Sequence, residues 1–337
     1  MDRLLDSTLR RALRYLDALA ERPVAPAPAA LDRLVGLGGP LPEQPVDPAD
    51  VLALLDELGS PATVASAGPR YFGFVTGGSL PAALAANWLA GAWDQNVGLS
   101  VMSPAAVTLE AIALDWLLDV LQLPPGAAGA FVTGATMANF TCLAAARHAA
   151  LQRAGWNVEA RGLFGAPPIT VVAGAEAHVS LLKALALLGL GRERVVAVTT
   201  DDQGRLRADS LPEISAPAIV CLQAGNVNTG AFDPAAEVCP WAHELGAWVH
   251  IDGAFGLWAA AAPALAGLVA GVSQADSWAT DAHKWLNVPY DSGLAFVRDP
   301  AALRAAMAAS AAYLPEGEFR EPMWYTPESS RRARGAE

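Results

Sequence analysis

Short apolar runs recur through the later two thirds of the chain, at 129–133, 170–173, 195–198, 218–223, 247–251 and 293–297. Each is too short for a helix and is closed by glycine, proline or polar residues, the mark of strands buried on both faces. Between most of them lie segments whose apolar positions repeat with helical spacing, at 137–154, 179–190 and 235–245. Strands alternating with helices predict an α/β fold, with a mostly parallel central sheet covered by helices on both faces. In such sheets ligands sit beyond the carboxyl ends of the strands.

The earlier third reads differently. Residues 1–21 set arginines and aspartates among leucines, which predicts an amphipathic helix and lacks the unbroken apolar centre of a secretion signal. Pro23, Pro26, Pro28, Pro40, Pro42, Pro45 and Pro48 make 23–48 an irregular connector. A second helix follows near 48–58, and 81–93 and 105–123 are long apolar helical stretches. The expected organisation is an N-terminal helical and connector segment at 1–104, a large α/β domain at 105–310, and a further region beginning at 311–337. One uncharged segment, 253–272, is long enough to span a bilayer at about 20 residues. Its alanine and glycine content, Pro263, and its start directly after Asp252 predict a loop and small helix instead.

Composition narrows the function classes. The chain has 337 residues, 53% hydrophobic and 17% charged, which suits a globular protein and not a disordered one. A net charge of −12 argues against a nucleic-acid or anionic-membrane partner. It leaves a small-molecule pocket open. Cys142, Cys221 and Cys239 lack metal-ligand spacing and read as reduced thiols of a cytoplasmic protein, and no metal is expected.

Four groups with chemical potential fall just past strand-like runs. Lys284 sits in SWATDAHKWL at 277–286. Lysine is a poor buried residue unless its amine does chemistry, and a desolvated lysine readily forms a Schiff base with an aldehyde. Asp252 closes the apolar run WVHID and suits a pyridinium nitrogen as partner. Gly253 and Ala254 would let a flat ring approach closely. At Gly134, Ala135 and Thr136 a strand passes through a turn into a helix, whose free N–H groups form an anion site. His178 either stacks on a heteroaromatic ring or caps the helix after it. His283 would serve a phosphate or a substrate carboxylate. Singly these are ambiguous; in this order they spell pyridoxal 5'-phosphate.

The chain resembles the pyridoxal-phosphate-dependent group II amino-acid decarboxylases, of the aspartate-aminotransferase-like fold type I. The likeness is carried by RYFGF at 70–74, Ser103 and Pro104 with Glu110, TGATMAN at 133–139, His178, GNVNTGAFD at 225–233, HIDGA at 250–254, and 276–285. It implies Lys284 as the cofactor's Schiff-base lysine and Asp252 as the ring-nitrogen partner. It further implies His178 and Ala254 on the two ring faces, with Gly134, Ala135, Thr136, Asp281 and His283 about the phosphate. Relatives often carry Gly-Thr-Thr where this chain has Gly225, Asn226 and Val227. Val227 cannot hydrogen-bond there, so Asn226, Asn228 or Thr229 is expected to substitute.

The implied activity is decarboxylation of an L-amino acid, with aminotransfer or aldehyde/lyase chemistry as the alternative on the same scaffold. Phe72, Phe74 and Trp93 are candidates for an apolar substrate wall and favour a bulky or aromatic side chain. A tyrosine is expected to protonate the reacting carbon, with Tyr313 and Tyr325 in the corresponding stretch. The N-terminal segments imply a homodimer. Relatives continue past 330–332 into a smaller domain, whereas the chain ends at Glu337. That implies a shortened homologue that binds cofactor with weak or no turnover, and loose packing over 311–337.

Overall fold

The structure, a computed structural model, describes residues 1–309 and 320–332. Packing divides the chain into two units, Met1–Gly78 and Ser79–Glu337. The boundary expected at 104 falls inside the second unit, because the helix starting at Pro104 sends Leu114 into the sheet's core.

The first unit holds helices α1 (Asp2–Ala18), α2 (Pro28–Asp32) and α3 (Pro48–Ala62). Proline occupies the first position of α2 and α3, where its missing N–H costs nothing. The Asp47 carboxylate caps α3 by accepting from the Ala49 N–H at 2.8 Å. Asp56 of α3 pairs with Arg11 of α1 at 2.9 Å. Among residues 1–78 only Ala65 is buried, and Leu5, Leu9, Leu13 and Leu16 stand exposed along α1.

The second unit runs α4 (Pro81–Trp93), α5 (Pro104–Val120), β1 (Ala128–Val132), α6 (Ala135–Arg153), α7 (Val158–Arg161), β2 (Thr170–Gly174) and α8 (Val179–Leu187). It continues with β3 (Val196–Val198), β4 (Ala218–Gln223), α9 (Ala235–Glu244), β5 (Trp248–Asp252), β6 (Ser277–Asp281), α10 (Ala282–Trp285), β7 (Gly293–Val297) and α11 (Pro300–Met307). The strands form one seven-stranded sheet in the order β1-β7-β6-β5-β4-β2-β3. The pairs among β2–β6 and β3 are parallel; only β7 runs antiparallel, to β1 and to β6.

Alternation along each strand feeds two cores. In β4, Val220 and Leu222 enter one, with Val249, Ile251 and Trp278; Ile219 and Cys221 enter the other, with Trp248 and Ala279. The second core is completed by α6, whose Ala138, Cys142, Ala145, Ala146 and Ala149 let that helix lie close against the sheet. The uncharged segment at 253–272 forms short 3₁₀ turns, and among the described residues no helix is long and apolar enough to cross a membrane.

Two further outcomes differ from expectation. Strand β6 is absent from the apolar runs because Ser277, Thr280 and Asp281 interrupt it; all three are nevertheless buried. The tail was expected to be loose over 311–337. Residues 310–319 and 333–337, with Tyr313, lie outside the described residues. Within 320–332, Glu321, Pro322, Met323, Trp324, Thr326 and Arg331 are buried, while Pro327, Ser329, Ser330 and Arg332 are exposed. Two arginines of this stretch face a buried acid. The Arg331 Nη2 donates to the buried Glu110 Oε2 at 2.6 Å, and Arg320 stands 3.4 Å from Oε1. A buried acid in α5 needs these countercharges, and they tie the tail to the sheet unit.

Candidate active site

The candidate residues of the second unit converge on the carboxyl-terminal edge of the parallel strands. Asp252 ends β5, His178 follows β2, Gly134 follows β1, and Asp281 ends β6 immediately before Lys284 in α10. Gly293 starts the antiparallel β7 opposite Asp281 and so lies on the same edge.

Asp252 is 4% exposed. Its Oδ2 accepts from the Asn139 Nδ2 at 2.9 Å and its Oδ1 from the Ala254 N–H at 3.2 Å. Among the described residues no arginine, lysine or histidine forms an ion pair with it. A buried carboxylate without a cation is costly, and the cation it lacks is what a protonated pyridine nitrogen supplies. Behind it, Asn139 Oδ1 lies 2.8 Å from His250 Nε2, and His250 Nδ1 lies 3.0 Å from the Ser277 hydroxyl. Burial pushes the His250 imidazole down to about 3, so the ring is neutral.

At the β1–α6 turn, the first-turn N–H groups of Thr136 and Met137 have no intrahelical partner, as in any helix start. A Cβ on Gly293 would meet the Gly134 backbone at 2.4 Å, so glycine is required for this close approach. Asp281 shapes the corner with both oxygens on backbone donors: Oδ2 accepts from the Ala135 N–H at 3.3 Å and Oδ1 from the His283 N–H at 2.9 Å. Burial raises its pKa, opposed by these bonds and by Lys284. The His283 Nδ1 bonds to the Val288 carbonyl at 2.9 Å, and its ring stacks on Tyr290 at 3.4 Å. His283 Nε2, Thr280 Oγ1 and Ser292 Oγ are buried without a partner. Unmet polar atoms beside a helix start suit a phosphate, which brings several acceptors at once.

Lys284 is half-buried, with Nζ 5.7 Å from the centre of the Phe255 ring, and forms no ion pair among the described residues. It is one of only two lysines in the chain, with Lys183, against 22 lysines and arginines together. His178 caps α8: the Ser180 N–H donates to its Nδ1 at 3.3 Å, and its own N–H reaches Gln223 Oε1 at 3.0 Å. The cap occupies Nδ1 only, leaving the ring face and Nε2 available. Gly253 admits no side chain, since a Cβ would stand 2.7 Å from Leu257 Cβ.

Beside β4, Asn226 is 2% exposed and spends its side-chain oxygen on the Asn228 N–H at 2.9 Å. The Thr229 hydroxyl donates to the Gln203 carbonyl at 2.7 Å. Asn226 therefore closes its own loop, Thr229 ties that loop to the turn at Gln203, and Val227 is exposed. Tyr325 packs on the core under Arg320, whose guanidinium lies 4.4 Å from the ring centre. Phe72 and Phe74 of the first unit are 93% and 90% exposed, and Trp93 of the second is 53% exposed. Phe74 and the following Val75 both adopt left-handed backbone, φ 55° and 50°, which is uncommon for bulky residues.

Residues 42–334 match the pyridoxal-dependent decarboxylase conserved domain, and the chain belongs to that family. It is 27% identical over 286 residues to an aromatic-L-amino-acid decarboxylase of Bacillus atrophaeus, covering 82% of this chain and 57% of the relative. It is 31% identical over 270 residues to tryptophan decarboxylase 1 of Oryza sativa subsp. japonica, covering 74% of this chain and 52% of the relative. The fold superposes on the crystal structure of Oryza sativa TDC with PLP and tryptamine, with TM-score 0.90 and 25% identity over 99% of this chain and 72% of that one. The chain thus spans about half the length of the curated relatives it matches.

Proposed function

We propose that this chain takes part in pyridoxal-phosphate-dependent decarboxylation of an L-amino acid, with an aromatic amino acid as substrate. The observation that carries it is the buried Asp252 carboxylate, without a cationic partner among the described residues, at the same strand edge as Lys284. When bound, the cofactor supplies an aldehyde for a lysine amine and a ring that accepts the electron pair left by departing CO2.

The chain's residues do the rest. Lys284 binds the cofactor covalently through an amine that forms no ion pair among the described residues. Asp252 holds a proton on the atom that faces it, through charge and the geometry set by Asn139 and Ala254. The start of α6, with Gly134, Ala135 and Thr136, and the unmet His283 Nε2 hold the phosphate. Asp281 keeps those backbone donors in place, and His178 and Ala254 bound the two faces of the ring. The aromatic preference is supported by the substrates named for the two relatives. Homodimerisation is part of the proposal: Leu5, Leu9, Leu13 and Leu16 form an exposed stripe that a second copy would cover.

The test is to incubate the 337-residue protein with cofactor and a panel of L-amino acids, measuring CO2, amine and aldehyde. Amine and CO2 in equal amounts, formed slowly and greatest with aromatic substrates, is the expected result. Aldehyde in place of amine would put the alternative chemistry first.

A further inference from the structure

Behind Asp252 lies a row of polar side chains sealed from water. Asn139, His250 and Ser277 are each 0% exposed, and Trp248 is 2% exposed. Such a row is expensive to bury, and apolar residues of similar size would fill the space at lower cost. Its protons are nonetheless assigned at every step. Asp252 Oδ2 offers a lone pair at 2.9 Å, so the Asn139 amide turns its Nδ2–H toward the carboxylate. The other end, Oδ1, can only accept, so the His250 Nε2 at 2.8 Å carries the hydrogen. The imidazole is neutral, and its Nδ1 is therefore a lone pair that accepts from the Ser277 hydroxyl at 3.0 Å. The Ser277 oxygen accepts in turn from the Trp248 indole N–H at 2.9 Å. The row runs one way and ends on the carboxylate. Reversing it requires turning the Asn139 amide and placing a proton on Asp252.

We infer that Asn139, His250 and Ser277 are positioning residues that hold Asp252 as a single, oriented carboxylate for the cofactor's ring nitrogen, an inference that rests on the cofactor site proposed above. They touch neither cofactor nor substrate; they act through Asp252. Three elements contribute, α6 through Asn139, β5 through His250 and β6 through Ser277, so the carboxylate is fixed by the sheet and the helix together. That is the support from behind that a charge aimed at a reacting ring requires.

The test compares pyridoxal 5'-phosphate with its 1-deaza analogue, in which C–H replaces the ring nitrogen. Binding of each to the 337-residue protein is followed by absorbance and fluorescence. Asn139→Leu is expected to lose about tenfold in affinity for pyridoxal phosphate, the scale of a hydrogen bond to a charged group, while affinity for the analogue moves by less than about twofold. His250→Phe should behave like Asn139→Leu. His250→Gln, which can still donate to Asn139, should recover most of the discrimination. Equal losses for both probes would overturn the inference, because a merely structural role does not distinguish a ring nitrogen from a carbon. A second measurement is independent of cofactor. In the cofactor-free protein labelled with ¹⁵N-histidine, His250 is expected as the neutral Nε2–H tautomer throughout about pH 5 to 8. A protonated ring or the Nδ1–H tautomer would overturn the proton pattern. A wild-type protein that bound neither probe would sink the cofactor site itself, and the tautomer would still decide the row behind Asp252.

Discussion

Two buried carboxylates in the second unit are treated in opposite ways. Glu110 is 1% exposed and faces two arginines, Arg331 and Arg320. Asp252 is 4% exposed and has, among the described residues, an amide and a backbone N–H. The first acid is neutralised by its own chain and joins the tail to α5. The second is oriented by its own chain and, in the proposed function, neutralised by the cofactor. The contrast separates fold from chemistry within one sheet unit. Damage near Glu110 should appear as lost stability, and damage near Asp252 as lost cofactor chemistry.

The largest expected effect breaks the comparison on the Asp252 side. Asp252→Ala should lower turnover by about 10²–10³-fold, as removal of a preorganised electrostatic partner does, while thermal unfolding of the cofactor-free protein changes little. Steady-state kinetics beside calorimetry measure both. Next comes the Glu110 side. Arg331→Ala leaves a buried acid with Arg320, at 3.4 Å, as its one cation among the described residues and should destabilise the fold by about 3–5 kcal/mol in denaturant titration. Cofactor affinity of the molecules that remain folded should be unchanged.

A pH series sharpens the contrast. His250 is held at about 3 in the folded protein against an ordinary 6.5. As the pH falls below 6.5, the unfolded chain takes up a proton that the folded chain refuses. Stability should then fall by up to about 1.4 kcal/mol per pH unit toward pH 3. His250→Gln should lack this component of the slope. The smallest effect concerns Asp233, which accepts the Leu206 and Gln223 N–H groups at 2.7 Å each and is pushed up to about 6 by burial. Asp233→Asn can accept only one such bond well and should cost about 1 kcal/mol at pH 7. With a raised folded-state pKa, the native carboxyl favours folding most at low pH. The wild type should therefore gain on the variant as the pH falls through 6.

Much of this arrangement was legible in the chain. The runs at 218–223 and 293–297 coincide with β4 and β7, and Asp252 and Gly134 stand at strand ends because each follows an apolar run directly, whereas Lys284 follows β6, which no apolar run marks. What was hidden is what polar residues do once buried. Strand β6 escaped because three of its five residues are polar, and polarity reads as surface until a partner is known. The row behind Asp252 joins Asn139 to residues 111 and 113 positions away, and no local pattern announces such a pairing. Arg331 lies 221 positions from Glu110, so nothing local marks it as the partner of a buried acid. One composition signal was available: with only Lys183 and Lys284 in the chain, a lysine at a strand end stands out from the arginines used elsewhere.

The central claim is that the strand edge bearing Asp252 holds pyridoxal phosphate through Lys284. Borohydride reduction of the cofactor-loaded protein, followed by peptide mass mapping, tests it directly. With only two lysines to distinguish, the account predicts the reduced pyridoxyl mass on the peptide containing Lys284 and none on Lys183. A label on Lys183, or a reducible adduct that survives Lys284→Ala, would contradict it.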